Sequence, residues 1–105
     1  MKEITPKELK QKLDNNEPLQ LIDCREQEEC EICSIGGELI PMGEIVHKVD
    51  AIKKDVPVVI HCRSGKRSAN VIQYLERNHG FDNLYNLKGG ILGYADDVDP
   101  QLTKY

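Results

Sequence analysis

Cys62 is followed within five residues by Arg63, Lys66 and Arg67, with Ser64, Gly65 and Ser68 between and after them. A cysteine among cations is the composition of an ionised nucleophile. A thiol of pKa about 8.5 is lowered when its sulfur accepts backbone N–H bonds at a helix start beside Arg or Lys, so Cys62 is expected to be a thiolate at neutral pH. Gly65 lets the backbone curl so that successive amides converge, and Arg63, Lys66 and Arg67 supply charge-assisted donors for an anionic substrate. The backbone from Arg63 to Ser68 is expected to stabilise a sulfur-borne negative charge, with Ser64 and Ser68 donating to an anion or capping the helix. The pocket suits a sulfonate or a persulfide. A buried cysteine used only for packing would have no need of three adjacent cations.

The flanking residues say how the loop is held. Val56 to His61 is an apolar, β-branched run of the kind that forms a buried strand, and Ala69, Val71, Ile72 and Leu75 mark the apolar side of a following helix that Gly80 ends. A strand, a tight loop and a helix place the sulfur at a strand's carboxyl end, facing the positive end of a helix dipole. Alternation along the strand turns His61 away from the Cys62 side, which leaves His61 a core role.

Upstream, Thr5, Pro6 and Glu8 read as a helix start with a capping box, Leu9 stapling back onto Ile4 and the helix ending near Asn15. Leu19 to Asp23 reads as a short strand ending in Asp23-Cys24-Arg25, where Asp23 and Arg25 would brace the strand end beside the loop. Glu26 to Glu31 reads as one or two helical turns and Glu38 to Ile40 as a brief strand. Glu44 to Lys54 reads as an amphipathic helix on Ile45, Val46, Val49 and Ile52. Phe81 to Leu87 supplies a last strand, Ile91 to Ala95 a short helix, and the residues from Asp96 a polar tail. Strands alternating with helices imply one α/β domain over residues 1–105, a three-layer α/β/α arrangement around a mostly parallel sheet.

The 105 residues carry a net charge of -4, with 39% hydrophobic and 30% charged residues. That balance fits a globular domain and offers no general attraction to nucleic acid or an anionic membrane. No stretch is long and apolar enough to span a bilayer and the amino terminus lacks a signal-peptide core, so a cytoplasmic location is expected, with the four cysteines reduced. Cys30 and Cys33 form a lone C-x-x-C pair, two ligands short of a zinc site, so no metal or other cofactor is expected. They read as packed or spare thiols, with a redox dithiol the alternative. Cys24 reads as a packing residue that is also close enough in sequence to the strand end to approach Cys62 as a resolving thiol.

The segment Cys62-Arg63-Ser64-Gly65-Lys66-Arg67-Ser68 after Val58-Val59-Ile60-His61 resembles the active-site loop of the rhodanese (sulfurtransferase) family. Leu21-Ile22-Asp23-Cys24-Arg25-Glu26 resembles that family's strand ending in Asp-x-Arg, and Asn86-Leu87-Lys88-Gly89-Gly90-Ile91 resembles its carboxyl-terminal glycine turn. Three matches in the family's order span nearly the whole chain. The resemblance implies a two-step cycle: the Cys62 thiolate takes the outer sulfur of thiosulfate as a persulfide, and a thiol or cyanide then removes it. Where many relatives read Glu-Tyr-x-x-Gly-His-Ile-Pro-Gly-Ala, this chain has Glu29-Cys30-Glu31-Ile32-Cys33-Ser34-Ile35-Gly36-Gly37-Glu38 followed by a segment one residue shorter, and Tyr94 stands where an aromatic, commonly Trp, is expected.

Three other readings stand beside it. A cysteine phosphatase or arsenate reductase would need Cys-x5-Arg, and Ser68 occupies the arginine position. A non-catalytic binding module of this kind would be expected to lack the cysteine. A sulfur-relay carrier for cofactor or tRNA thiolation shares the chemistry but takes its sulfur from a partner protein, and Asp97 to Tyr105 resembles the end of rhodanese domains fused to adenylyltransferases.

Overall fold

The structure is a computed structural model that describes all residues 1–105. Its strands are β1 (Glu3–Ile4), β2 (Gln20–Asp23), β3 (Glu38–Leu39), β4 (Val58–His61) and β5 (Leu84–Leu87), and its helices α1 (Pro6–Asp14), α2 (Gln27–Ile32), α3 (Lys66–His79) and α4 (Gly90–Asp97). The strands form one sheet in the order β1-β5-β4-β2-β3, and every pairing is parallel. Parallel neighbours need crossovers, and the helices that make them cover both faces. No helix is long and apolar enough to cross a membrane.

Strand β4 lies at the centre and all four of its residues are buried. Its alternation divides the core in two. Val58, Ile60 and Cys62 join Ile22 and Cys24 of the β2 segment in a cluster with Val71, Ile72 and Leu75 of α3. On the opposite face Val59 and Leu87 pack with Ile4 of β1, Leu9 of α1 and Tyr94 of α4. Period-two alternation thus turns the residue after β4 toward α3.

Local chemistry sets the helix ends. Thr5 Oγ1 accepts from the Glu8 amide at 3.1 Å while Glu8 Oε1 accepts from the Thr5 amide at 2.9 Å, the reciprocal box that starts α1. Helix α3 begins after Gly65 and ends at Gly80, both left-handed, at φ 105° and 68°.

Three segments differ from the sequence expectation. Glu3–Ile4 is an edge strand, in register with Asn86 and Leu87 of β5, a pairing with no local signature in two residues. The helix expected over Glu44 to Lys54 is instead a pair of 3-10 turns, Met42–His47 and Val49–Ala51. Ile45 and Ile52 are buried as the spacing requires, but Val46 is exposed and four β-branched residues weigh against an α-helix. The expected polar tail packs: Val98 and Leu102 lie against the α1 and α4 side of the core.

Candidate active site

Strand β4 delivers Cys62 to the loop, and Gly65 at φ 105° turns the chain into α3 so that two amides point back at the sulfur. The Gly65 N–H donates to Cys62 Sγ at 3.1 Å and the Ser68 N–H at 3.5 Å. Ser68 Oγ lies 3.4 Å from the same sulfur and donates to Asn86 Oδ1 at 2.6 Å. Asn86 Nδ2 donates to the Gly65 carbonyl at 3.0 Å, which fixes which way the amide faces. The single Ser68 proton is therefore claimed by Asn86, and the sulfur relies on backbone amides and on Cys24.

Those donors hold the Cys62 thiol down at about 4. The neighbouring Cys24 thiol contributes most, burial opposes, and the Ser68 and Gly65 amides add to the lowering. The same contact, with burial, pushes the Cys24 thiol far up, so Cys24 stays protonated. Cys62 is 1% exposed, and none of the surface cavities is lined by it. The cradle expected from the sequence to suit a sulfonate or persulfide is closed over the sulfur, with the amides in place.

Helix α4 braces the loop from behind. The Ile91 amide donates to the Cys62 carbonyl at 2.9 Å and the Leu92 amide to the Arg63 carbonyl at 3.2 Å. Gly90 sits at φ 61°, where an added Cβ would lie 2.4 Å from the Arg63 carbonyl oxygen. Gly90→Ala is expected to cost about 2–4 kcal/mol and to push the loop off the sulfur. Thermal melting and the rate of Cys62 alkylation check the two effects separately.

Asp23 and Arg25 form a buried ion pair at the end of β2. Arg25 Nη2 donates to Asp23 Oδ2 at 2.7 Å and Nε to Oδ1 at 2.9 Å; further donors reach the Cys33 carbonyl at 2.8 Å and the Tyr105 hydroxyl at 3.0 Å. Burial alone would raise the Asp23 carboxyl, but Arg25 holds it below the usual carboxylate range. Cys30 Sγ donates to Asp23 Oδ2 at 3.1 Å, and the Cys33 sulfur lies 3.8 Å from Arg25 Nη1, so the C-x-x-C pair flanks this ion pair.

His61 Nε2 is 3.7 Å from Asp23 Oδ2, is fully buried and has no hydrogen-bond partner. Burial pushes the imidazole down, which keeps it neutral. A base with a lowered folded pKa stabilises the fold above its unfolded value, near 6.5, and loses that contribution as pH falls. Asp23 has the same sign at lower pH. The urea midpoint is expected to drop between about pH 7.5 and about pH 5.5, and His61→Gln to flatten that part of the profile.

The three loop cations have different situations. Arg67 is gripped by Glu29 through two bonds of 2.7 and 2.8 Å, and Glu29 is held down at about 2, chiefly by Arg67. Arg63 is exposed, with its guanidinium 5.0 Å above the Tyr105 ring, and Lys66 is exposed with no ion-pair partner. Tyr105 donates from its hydroxyl to Glu29 Oε2 at 2.5 Å. Ser64 is exposed and Ser68 fully buried. Cys62 and Ser68 thus share the cradle, Arg63, Ser64 and Lys66 line its outside, and Asp23 and Arg25 stand on the neighbouring strand end.

Glu29, Asn86 and Tyr105 were not legible as site residues. Asn86 lies in the glycine-turn motif, whose sequence does not show that its side chain reaches Ser68 and Gly65, whereas Tyr105 lies eight residues beyond α4 and carries no local signal.

A parallel α/β sheet that presents a cysteine in an amide cradle at the start of a helix defines the class of fold to which the chain belongs. The Rhodanese-like domain model matches residues 5–97, and the chain belongs to that family of sulfurtransferases. It is 39% identical over 102 residues to the putative sulfurtransferase YtwF of Bacillus subtilis, covering 96% of this chain and 97% of that protein. It is 34% identical over 106 residues to the probable adenylyltransferase/sulfurtransferase MoeZ of Mycobacterium tuberculosis, where 97% of this chain covers 26% of the longer protein. A crystal structure of a rhodanese-like domain protein from Staphylococcus aureus superposes with a TM-score of 0.81 at 38% identity, covering 93% of this chain and 95% of that one.

Proposed function

We propose that the protein moves sulfane sulfur through a persulfide on Cys62, accepting it from thiosulfate or a similar donor and passing it to a thiol or cyanide. The observation that carries this is the pair of backbone amides, from Gly65 and Ser68, that converge on the Cys62 sulfur. In the first step the thiolate attacks the outer sulfur of thiosulfate; a new S–S bond forms and sulfite leaves with the electrons of the old one. An acceptor thiolate then attacks the terminal sulfur of the persulfide and Cys62 departs as thiolate. Neither step moves a proton at the nucleophile, so no general base is required. Amides aimed at the sulfur hold the terminal charge without reorganising.

Because Cys62 is 1% exposed, entry of the donor requires side chains around the loop to move. Arg63, resting on Tyr105, is the exposed cation that follows Cys62 in the chain, and Lys66 is a second exposed cation at the first position of α3. Replacing Lys66 with alanine is expected to raise KM for thiosulfate about fivefold with little change in kcat, an exposed charge contact contributing about 1 kcal/mol. Steady-state kinetics at two ionic strengths checks it. A phosphatase-like reading is not favoured: serine holds the position where arginine is needed, and Arg67 is engaged by Glu29.

The direct test is intact-mass spectrometry after incubation with thiosulfate. One added sulfur on Cys62, removed by cyanide or a thiol, supports the proposal; an unmodified mass overturns thiosulfate as donor. The similarity to MoeZ favours a second reading, a relay carrier loaded by another protein's persulfide. Faster loading from a cysteine desulfurase than from thiosulfate would select it.

A further inference from the structure

The chemistry proposed for the site uses one sulfur, and the fold places a second beside it. Strands β2 and β4 are paired in register from Gln20 with Val58 to Asp23 with His61, and the Cys24 amide extends the ladder by donating to the His61 carbonyl at 3.0 Å. The next residues in that register are Cys24 and Cys62. Side chains in register on parallel neighbours point the same way, and both cysteines lie in the α3-side cluster with Ile22 and Ile60, each 1% exposed. Neighbouring strands are about 4.8 Å apart, inside the range of Cα separations of about 4.4–6.8 Å that a disulfide spans.

We propose that Cys24 is a resolving thiol, which attacks the inner sulfur of the Cys62 persulfide, forms a Cys24–Cys62 disulfide and expels the outer sulfur as sulfide. The bond formed joins Cys24 Sγ to Cys62 Sγ; the bond broken joins Cys62 Sγ to the outer sulfur. The Cys24 proton leaves on the outer sulfur as HS⁻. That sulfur is reduced by two electrons, and the two cysteine sulfurs are together oxidised by two. Two equivalents of a small thiol, or one dithiol, then reduce the disulfide and restore both cysteines. The net result is thiol-driven release of sulfide, a branch that competes with transfer to an acceptor.

Loading itself arms this step. In the resting protein the neighbouring Cys62 thiolate and burial keep Cys24 protonated, so the pair is inert. In the persulfide the negative charge moves to the terminal sulfur among the loop amides, and Cys62 Sγ becomes neutral. Cys24 then lies beside a neutral, electrophilic sulfur in place of a thiolate. No second base or metal is needed.

The inference rests on the persulfide reading, and its test separates the two. A Cys30→Ser/Cys33→Ser protein is loaded with thiosulfate, freed of small molecules and followed by intact mass, peptide mapping and sulfide release. The sulfur-bearing species is expected to decay to one that is two hydrogens lighter than the reduced protein, with Cys24 and Cys62 peptides cross-linked and one sulfide released per cross-link. With Cys24→Ser or Cys24→Ala added, the loaded species is expected to persist about tenfold longer or more. Successful loading of those variants itself reports a folded cradle. Equal persistence with and without Cys24, or decay without the cross-link, overturns this inference and leaves the persulfide standing; absence of loading in every protein overturns both.

Discussion

Cys62→Ser is expected to eliminate sulfur transfer, a loss of at least about a thousandfold in kcat. A serine oxygen in the same place keeps the Gly65 and Ser68 amides as neighbours. It remains a protonated hydroxyl at neutral pH, and it cannot hold a sulfane sulfur through an S–S bond. Sulfite release from thiosulfate in the presence of cyanide measures the loss, and retained turnover would remove Cys62 from the mechanism. A companion measurement uses the acidity of the thiol. With Cys62 held down at about 4, its alkylation by iodoacetamide is expected to be flat through neutral pH and to fall only as pH approaches that value. Because Cys24 contributes most to the lowering, Cys24→Ala is expected to move the fall upward, while Cys24→Ser, which keeps an O–H donor, moves it less.

The largest loss of stability is expected from Arg25→Met. Arg25 is fully buried and Asp23 nearly so, and the guanidinium also ties in the Cys33 carbonyl and the Tyr105 hydroxyl. Removing one partner strands a carboxylate where water does not reach it, at a cost of about 3–5 kcal/mol. A domain of this size has roughly 5–15 kcal/mol in total, so the melting temperature should fall by more than about 10 °C. The double variant Asp23→Leu/Arg25→Met is expected to recover part of the loss, because an apolar pair leaves no unpaired charge. Urea midpoints for the two single variants and the double variant close the cycle. Recovery of nothing would mean that the pair acts through Cys30 and His61, which both lean on Asp23.

The parts of the fold written in local chemistry were legible in the chain. The Thr5 and Glu8 box, the Val58 to His61 strand and the glycine after His79 each carry their own instruction within a few residues. The family followed from three motifs in order. What could not be read was set by distance in the sequence. Glu29 meets Arg67 across 38 positions and Tyr105 across 76, and Asn86 reaches Gly65 across 21. No periodicity encodes such meetings. The 3-10 turns of Met42–His47 and Val49–Ala51 were misread for a different reason, since burial of Ile45 and Ile52 satisfies a helical pattern and a tighter spiral equally well. Closure of the cradle was equally hidden, because which side chains seal a cavity depends on the whole surface.

The ring of Tyr105 has two guanidiniums near it, that of Arg25 at 5.8 Å and that of Arg63 at 5.0 Å from its centre. The chain has no tryptophan and only four tyrosines, so its ultraviolet emission comes from very few rings, one of them under the Arg63 guanidinium of the Cys62 loop. An anion that draws Arg63 off that ring changes the surroundings of a fluorophore the protein already owns. Occupancy of the site becomes visible in a cuvette, without label or coupled assay.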